Sequence, residues 1–316
     1  MTIGIVGLGL IGGSLALDLL DRGGDLVGFD RDAGHMAGAA AAGVRTAASL
    51  DEVAGAADLV VVAVPPREVA TTVGHVTARN ASATVTDVAS VKSPTALGLP
   101  ETLPARYVGG HPMAGTERSG WAAARRGLLA GAAWLLTPHD DVDLGAFADV
   151  VELVLDLQAR PVVVDMQTHD LLVAAVSHVP HLLAYGLHAT ASASAGAAVD
   201  LIAGPSFRDA TRVAASDPAF WAEVVDRNRT AIREVVGRMQ AWLDGAIDAD
   251  GAGLIELLTD ARREVTAGGV SDQAVSLRVE DPVPGLVDLR ALGTTGHVIT
   301  ALERAETSIE VTLARR

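Results

Sequence analysis

The sequence of 316 residues contains no cysteine, which excludes disulfide bonds, thiol catalysis and cysteine metal sites. Aromatic residues are also scarce, at 3%, although 49% of the chain is hydrophobic. We therefore expect a core of small aliphatic side chains packed between helices and a sheet. The formal charge of −15 argues against a nucleic-acid partner or an anionic membrane surface, because phosphate contacts require clustered lysine and arginine.

Lysine is nearly absent, and Lys92 is the only one in the chain. Compositional bias explains most of this scarcity, but a functional role for Lys92 stays open because it lies in a stretch rich in polar side chains. Targeting signals are absent too: no charged leader with an apolar core opens the sequence, and no apolar run approaches the ~20 residues of a membrane helix. We therefore expect a soluble, cytoplasmic protein with no membrane partner.

The N-terminal stretch has a pattern typical of dinucleotide-binding proteins. A buried strand at 2–6 leads into a Gly-x-Gly-x-x-Gly motif, and a helix is predicted from Gly13 to about Leu20. The glycines permit a tight turn and a close approach of pyrophosphate, which the helix N-terminus then faces. Asp30 ends the second strand, where an acid hydrogen-bonds the ribose and disfavours a 2′-phosphate, although the neighbouring Arg31 weakens this discrimination. We predict NAD as the cofactor, bound by Gly7, Gly9, Leu10, Ile11, Gly12 and Asp30.

Further predicted strands alternate with predicted helices along the first half of the chain. Near-continuous apolar runs at 58–64 and 83–86 are typical of strands that are covered on both faces, as in parallel sheets. Runs at 134–138 and 161–164 predict two later strands. This alternation predicts an α/β fold with a doubly wound parallel sheet of the Rossmann type.

The pattern changes after Asp165, where strand-like runs give way to long helical patterns rich in alanine and leucine. We predict three domains: a Rossmann domain at 1–164, an all-helical substrate and dimerisation domain at 165–270, and a small C-terminal α/β appendage at 271–316. Such helices usually bury one face, and we expect this face to be buried in a homodimer interface. Within the appendage, 275–279 and 308–313 alternate like strands.

Two polar stretches follow the ends of predicted strands, namely 87–92 and 109–117. Ligands of open parallel sheets bind beyond the carboxyl ends of the strands, so we expect Ser90 and His111 at the active edge. We predict that His111 lies in a loop, oriented by Pro112 but wet enough to titrate, which suits a general base. A turn histidine without a role is the alternative.

The helical domain carries a group of histidines. His178 and His181 share a helix face and follow His169 in the same helical stretch. This arrangement fits a metal site, an ordinarily packed helix, or the polar lining of a pocket. We favour the pocket lining and expect no metal, because no carboxylate lies three or four residues from His178 or His181.

A second polar group of this domain contains Arg208 and Arg212, which share a face if the segment is helical. In an acidic protein an anionic substrate needs local positive charge, and arginine provides a bidentate carboxylate clamp. A surface salt-bridge cluster is the alternative. Trp221 lies nearby in the sequence and is expected to wall the same pocket.

Together these motifs resemble the prephenate/arogenate dehydrogenase family of tyrosine biosynthesis. The resemblance runs in order from residue 1 to about residue 230. The matching stretches are Gly7–Ser14, Asp87-x-x-Ser90-Val91-Lys92, Gly110–Glu117, His169-Asp170, Ser177–His181, Phe207-Arg208-Asp209-x-Thr211-Arg212, Ser216-Asp217-Pro218 and Trp221.

The resemblance implies oxidation of prephenate by NAD with loss of CO2, giving 4-hydroxyphenylpyruvate. His111 matches the family's catalytic histidine, which takes the proton of the ring C4 hydroxyl as hydride leaves C4, and Ser90 looks like its hydrogen-bonding partner. Arg212 matches the carboxylate-binding arginine, and Asp209 is expected to steady it. The remaining matches look like the wall or gate of the substrate pocket: Glu117, Ser177 and His181.

Four questions stay open at this point. The substrate is prephenate or, alternatively, arogenate, which carries an amine where prephenate has a ketone. A dehydrogenase for 3-hydroxy acids is a rival, but it typically needs a lysine on the helix after the domain boundary, where this chain has none. A non-catalytic NAD-sensing protein is a rival of another class. The appendage is only faintly similar to a regulatory ACT-type module, so feedback by tyrosine is a hypothesis.

Overall fold

The computed structural model describes residues 1–196, 198–266, 271–305 and 307–315. Within these ranges the chain forms two compact units. The first comprises residues 1–169 together with 273–315, and the second comprises residues 170–272. The C-terminal segment therefore belongs to the same unit as the N-terminal segment. The three-domain division at 164 and 270 stays a prediction, and residues 267–270 beside its second boundary lie outside the described residues.

The first unit starts with alternating strands and helices. In chain order they are β1 (Ile3–Val6), α1 (Leu10–Asp21), β2 (Leu26–Phe29), α2 (Ala33–Ala41), β3 (Arg45–Thr46), α3 (Leu50–Ala56), β4 (Leu59–Val62), α4 (Pro66–Arg79), β5 (Thr84–Asp87), α5 (Pro94–Leu97), β6 (Tyr107–Pro112), β7 (Ala133–Thr137), α6 (Leu144–Asp156) and β8 (Arg160–Val163). Side chains cap the N-termini of several helices by accepting hydrogen bonds from backbone N–H groups of the first turn. These N-cap residues are Asp32 for α2, Ser49 for α3 and Asp143 for α6.

The strands form one sheet in the order β3-β2-β1-β4-β5-β6-β7-β8. From β3 to β6 all neighbours are parallel, β6 and β7 are antiparallel, and β7 and β8 are parallel. The chain first builds outward from β1 to β3 and then returns to place β4 on the other side of β1. Such a switch point is where open α/β sheets bind ligands. The predicted Rossmann-type doubly wound sheet is confirmed, with the antiparallel step from β6 to β7 as an addition.

Successive residues of the central strands point into two different cores. Leu59 and Val61 of β4 belong to one buried cluster, and Val60 and Val62 belong to the other. All four side chains are completely buried. Because side chains alternate across a strand, a continuous apolar run is what a sheet with helices on both faces requires.

The described residues of the second unit form helices and short connections, apart from residues 271–272, which begin a strand of the appendage. Its elements, of which the first begins in unit one, are α7 (Met166–Val173), a π-helical turn (Ala174–His178), α8 (Val179–Ala195), α9 (Ala198–Ile202), α10 (Pro205–Thr211), a 3₁₀ turn (Arg212–Ala215), α11 (Pro218–Arg227), α12 (Arg229–Asp248) and α13 (Gly251–Thr266). Ala174, Val179 and Ile232 form a small buried cluster inside this unit.

One helical stretch of the described residues, Met166–Ala195, is long and apolar enough to cross a membrane by length and composition alone. The sequence analysis did not anticipate such a segment. Single helices of soluble proteins also meet this criterion, and this one carries His169, Asp170, His178 and His181. Only 28% of its most apolar part is buried within the protomer, and Leu172, Val176, Leu183 and Leu187 are exposed.

The C-terminal appendage consists of β9 (Ser271–Val279), α14 (Pro282–Thr294), β10 (His297–Arg304) and β11 (Ile309–Arg315). Its strands form a separate sheet in the order β10-β11-β9. Strand β10 was not predicted from the sequence. Its register shifts between Ile299 and Ala301, and Val298 and Ile299 are both buried. This irregularity interrupts the period-two alternation by which strands are recognised.

The appendage packs onto the sheet domain within the first unit. Leu289 and Val311 belong to the same buried cluster as Phe147 of α6. Arg304 donates to Glu152 at 2.6 Å and to Asp149 at 2.8 Å. Hydrogen bonding to Glu152 raises the pKa of Arg304 above its ordinary value. The appendage is therefore a fixed part of the first unit.

Candidate active site

The turn after β1 requires glycine at the motif positions. Gly7 has a φ of +95°, in the left-handed region, and a Cβ there would overlap the carbonyl oxygen of Ala63. A Cβ at Gly12 would overlap the carbonyl oxygen of Gly7, so α1 lies this close to β1 only because no side chain intervenes. A Cβ at Gly9 would meet no atom within 4 Å, which leaves open space beside the turn.

Helix α1 begins at this open space. Within the fully described segment 1–21, Gly9 is the N-cap, no side chain caps the helix, and its first turn contains no acidic residue. The N–H groups at the start of α1, around Leu10 and Ile11, therefore retain hydrogen-bonding capacity and a partial positive charge. These are the conditions that a pyrophosphate needs.

Asp30 follows β2 directly and is tied to the glycine turn. The Leu8 N–H donates to Asp30 Oδ2 at 2.7 Å, and Nδ1 of His35 lies 3.1 Å from the same oxygen. Arg31, which weakens the expected preference for NAD, is paired with Glu68 at 2.8 Å. The glycine turn, the open helix end and this carboxylate fit a dinucleotide, while the contacts predicted for each residue stay predictions.

Asp87, the last residue of β5, is buried and organises the stretch that carries Ser90. Lys92 Nζ donates to Asp87 Oδ1 at 2.6 Å, and the Tyr107 hydroxyl donates to Asp87 Oδ2 at 2.6 Å. Burial, with a further contribution from the Asp87 charge, raises the pKa of Tyr107 well above its ordinary value, so this hydroxyl remains a donor. Ser90 lies three residues beyond β5 and is half-buried.

His111 lies in strand β6 and not in a loop, so this part of the sequence interpretation is wrong. Strand β7 pairs with β6 and places Leu135 opposite His111. The His111 side chain is only 8% exposed, so the wet environment expected for it is wrong as well. The residues around His111 cannot reveal this pairing, because the partner strand comes from 133–137.

The imidazole of His111 contacts a second imidazole within the same unit. His111 Nδ1 and His169 Nε2 lie 2.9 Å apart, and the His169 side chain is completely buried. Since two neutral imidazoles must share one proton in such a bond, one nitrogen donates and the other accepts. The sequence analysis grouped His169 with the histidines of the helical domain and missed this contact.

Glu117 lies in the exposed segment that follows β6. The segment contains a turn in which the Arg118 N–H donates to Thr116 Oγ1 at 3.2 Å. The structure therefore places Glu117 after the strand of His111, and its predicted role in the pocket wall stays a prediction.

In the second unit, His181 stacks on Trp221 with ring centroids 3.6 Å apart. His181 Nδ1 lies 2.8 Å from the carbonyl oxygen of Ser177, so the N–H is on Nδ1 and Nε2 is the acceptor. Burial lowers the pKa of His181 below the ordinary value of 6.5, and this imidazole is therefore neutral at pH 7. The structure thus brings together three residues that were predicted as substrate contacts.

Asn228 is a polar residue that the sequence analysis missed. It is buried and its Nδ2 donates to the Asp170 carbonyl at 2.8 Å. The same nitrogen lies 3.0 Å from His178 Nδ1, which accepts its second hydrogen. Asn228 thereby orients the imidazole in the π-helical turn that also contains Ser177. The signal was weak, because one asparagine in a helical pattern carries no motif.

Arg212 follows α10 and opens the 3₁₀ turn, whereas Arg208 and Asp209 lie within α10. The two arginines are therefore not on one continuous α-helix, which the sequence analysis had considered. Arg212 and Asp209 are both exposed. Their roles as carboxylate clamp and supporting acid stay predictions.

Taken with the sheet topology, the glycine turn and Asp30 define a dinucleotide-binding protein, and His111, in contact with His169, is a candidate group for proton transfer. The family model described as the nucleotide-binding domain of prephenate dehydrogenase matches residues 15–163. The model described as its dimerization domain matches residues 165–249. The chain belongs to the prephenate/arogenate dehydrogenase family of oxidoreductases.

Individual relatives agree with this assignment. Prephenate dehydrogenase of Bacillus subtilis is 32% identical over a region that covers 77% of this chain and 67% of the relative. The structure of prephenate dehydrogenase from Aquifex aeolicus, in complex with hydroxyphenyl propionate and NAD+, is 29% identical, with a TM-score of 0.75. The matched region covers 84% of this chain and 96% of the A. aeolicus chain. Synechocystis arogenate dehydrogenase is 27% identical, with a TM-score of 0.72, and covers 84% and 99% respectively.

Proposed function

We propose that this chain catalyses the NAD-dependent oxidative decarboxylation of prephenate to 4-hydroxyphenylpyruvate. Membership of the family supports the reaction, and the A. aeolicus relative with NAD+ and hydroxyphenyl propionate supports the cofactor and the substrate class. The observation that carries the proposal is the buried His111–His169 pair, in which His111 lies on a strand whose carboxyl end is at the same sheet edge as the glycine turn.

When bound, NAD would supply the hydride acceptor, and the protein would have to accept the accompanying proton. In our proposal His111 accepts the proton of the C4 hydroxyl as the C4 hydride departs, which leaves a ring ketone. The ring carboxylate then leaves as CO2, and its bonding electrons make the ring aromatic with a negatively charged oxygen. His111 returns its proton to that oxygen, so that no other proton donor is required.

This role requires one tautomer of His111. Its Nδ1–H has to donate to His169 Nε2, because only in this tautomer does Nε2 of His111 carry the lone pair that takes up the substrate proton. The 2.9 Å contact permits this arrangement. His169 thus performs the orienting task that a carboxylate performs in other histidine-based sites.

We expect His169→Leu to lower kcat by about 10- to 100-fold, because an orienting acceptor is worth part of the general-base contribution. The KM for NAD should stay unchanged. His169→Gln retains an oxygen that can accept from His111 Nδ1 and should recover part of the loss. Steady-state kinetics on both variants check this, and an equal loss in the two would contradict the tautomer role.

The remaining predicted residues bind the substrate in our proposal. Ser90 hydrogen-bonds the substrate hydroxyl, and Arg212 binds a carboxylate with its planar guanidinium, steadied by Asp209. Glu117 of the first unit, and Ser177, His181 and Trp221 of the second, are each proposed as further substrate contacts. A neutral His181 fits this part, because its Nε2 accepts a hydrogen bond without adding charge.

We also propose that the protein is a cytoplasmic homodimer that associates through its helical domain, as the description of the matched domain supports. Four apolar side chains of the helical stretch Met166–Ala195 are exposed: Leu172, Val176, Leu183 and Leu187. A partner subunit would cover them. The formal net charge of −15 makes a nucleic-acid partner unfavourable.

The formation of NADH, followed by absorbance, tests the function. We expect turnover of prephenate with NAD and a lower kcat/KM with NADP, because Asp30 disfavours a 2′-phosphate. The second candidate is arogenate dehydrogenase, which the Synechocystis relative favours. A higher kcat/KM for arogenate than for prephenate would select it. Absence of turnover with both substrates, in a folded preparation that binds NAD, would instead favour a non-catalytic NAD sensor.

A further inference from the structure

The single lysine of the chain is buried in the sheet domain. The Lys92 side chain has no solvent exposure, and neither has that of Asp87, with which it forms an ion pair. A buried ion pair is weak evidence for a contribution to stability, because desolvation offsets much of the attraction. A role for the pair other than stability is therefore sought in the contacts that the ammonium group makes.

Three hydrogen bonds of the ammonium group are made to acceptors within the stretch that carries Ser90. Lys92 Nζ donates to Asp87 Oδ1 at 2.6 Å, to the Ala89 carbonyl at 2.8 Å and to the Val91 carbonyl at 3.1 Å. An ammonium has three hydrogens, so these bonds match its capacity. The Ala89 N–H also donates to Asp87 Oδ1 at 2.7 Å. The residues on both sides of Ser90 are thereby tied to one charge pair.

Lys92 also contacts the strand of His111. A Cβ at Gly109 would lie 3.0 Å from Lys92 Cδ, so the lysine stem passes directly over this glycine. Gly109 precedes His111 by two residues in β6. Tyr107, in the same strand, donates to the carboxylate that Lys92 binds. The Asp87–Lys92 pair therefore connects the Ser90 stretch to β6.

We propose that Lys92 is a positioning residue, whose buried ammonium fixes the carbonyl groups of Ala89 and Val91, the residues on either side of Ser90, and so sets the Ser90 hydroxyl relative to His111. Its effect on turnover rests on the proposed function of Ser90 and His111. The charge is needed because one small group must satisfy a carboxylate and two carbonyls at once, which no neutral side chain of similar length does.

A double-mutant cycle with Ser90 tests the proposal. Lys92→Gln should lower kcat by about tenfold or more, the equivalent of one lost transition-state hydrogen bond, with an unchanged KM for NAD. In the Ser90→Ala background the same substitution should change kcat by less than about twofold, because residues that act through one another are not additive. An equal loss in both backgrounds would overturn the proposal.

A second readout does not depend on activity. Amide hydrogen exchange of residues 88–92 should become faster in Lys92→Gln, since the carbonyls and the N–H of this stretch lose their anchor. Unchanged exchange there would refute the anchoring of residues 88–92 by Lys92. Faster exchange in a protein that turns over neither prephenate nor arogenate would refute only the proposed function.

Two further variants separate positioning from loss of stability. Val85→Ala removes apolar volume from the same strand, β5, and its side chain makes no polar contact. It should lower Tm while leaving kcat and exchange at 88–92 close to wild type. If Lys92→Gln does not fold, the double variant Asp87→Asn/Lys92→Met leaves no unpaired buried charge and should show the same coupling to Ser90.

Discussion

His111→Asn is expected to reduce kcat by about 10²- to 10⁴-fold, the range that a positioned general base contributes. Asparagine is polar and fits the space of the imidazole, but it does not accept a proton near neutral pH. The binding of NAD and of prephenate should change little, because the substitution leaves the glycine turn and the predicted carboxylate clamp intact. Steady-state kinetics, together with a separate titration of NAD binding, would measure both effects.

The burial of His111 makes this prediction sharp. With 8% of the side chain exposed, bulk water has poor access to the position where the proton would have to be taken up. His75→Asn is the matched control, since the His75 side chain is exposed on α4 and pairs with Asp51. It should leave kcat unchanged. Normal turnover in His111→Asn would remove the base assignment, and with it the role given to His169.

Arg212→Ala is expected to act mainly on KM for the substrate, with a rise of about 10- to 150-fold. This corresponds to the loss of hydrogen bonds between charged groups, worth about 1.5–3 kcal/mol. The kcat at saturating substrate should fall much less, because a carboxylate held in both the ground state and the transition state contributes uniform binding. The comparison of kcat with KM over a wide range of prephenate concentrations checks this.

Two other variants identify the reason for such a rise. Arg212→Lys keeps the charge but not the planar fork, so it should fall between wild type and Arg212→Ala. Arg208→Ala removes the same charge one turn earlier, in α10. If Arg208→Ala raised KM as much as Arg212→Ala does, a general electrostatic attraction would explain the effect and the specific clamp would be wrong.

The predictions for His111 and Arg212 are based on different kinds of observation. His111 contacts His169 within one compact unit, so its surroundings are part of the observed structure. Arg212 lies in the second unit, at the transition from α10 to a 3₁₀ turn. Its assignment depends on the matched motif and on the physical fit between a guanidinium and a carboxylate.

The parts of the fold that follow from local patterns could be predicted from the sequence. The glycine turn is an example: Gly7 needs a positive φ and Gly12 must lie against the backbone, and both requirements are visible as glycines at fixed spacing. The run Leu59–Val62 likewise predicts a strand covered on both faces. In each case the backbone preference and the burial pattern of a few adjacent residues are sufficient.

Features that depend on distant segments could not be predicted. His111 was expected in a wet loop, and only its pairing with β7 makes it a buried strand residue. Its contact with His169 joins residues 58 positions apart, and Asn228 reaches Asp170 across the same separation. No spacing rule covers such contacts, because they depend on how complete elements pack.

The amino-acid sequence alone therefore determined the class of fold, the cofactor turn and the identity of the chemical groups. The tertiary structure alone decided that His111 contacts His169, that Lys92 pairs with Asp87 in the interior, and that the appendage belongs to the first unit. The physical reason is that local backbone preferences act over a few residues. Hydrogen-bond partners and burial, in contrast, depend on which remote segments the folded core brings into contact.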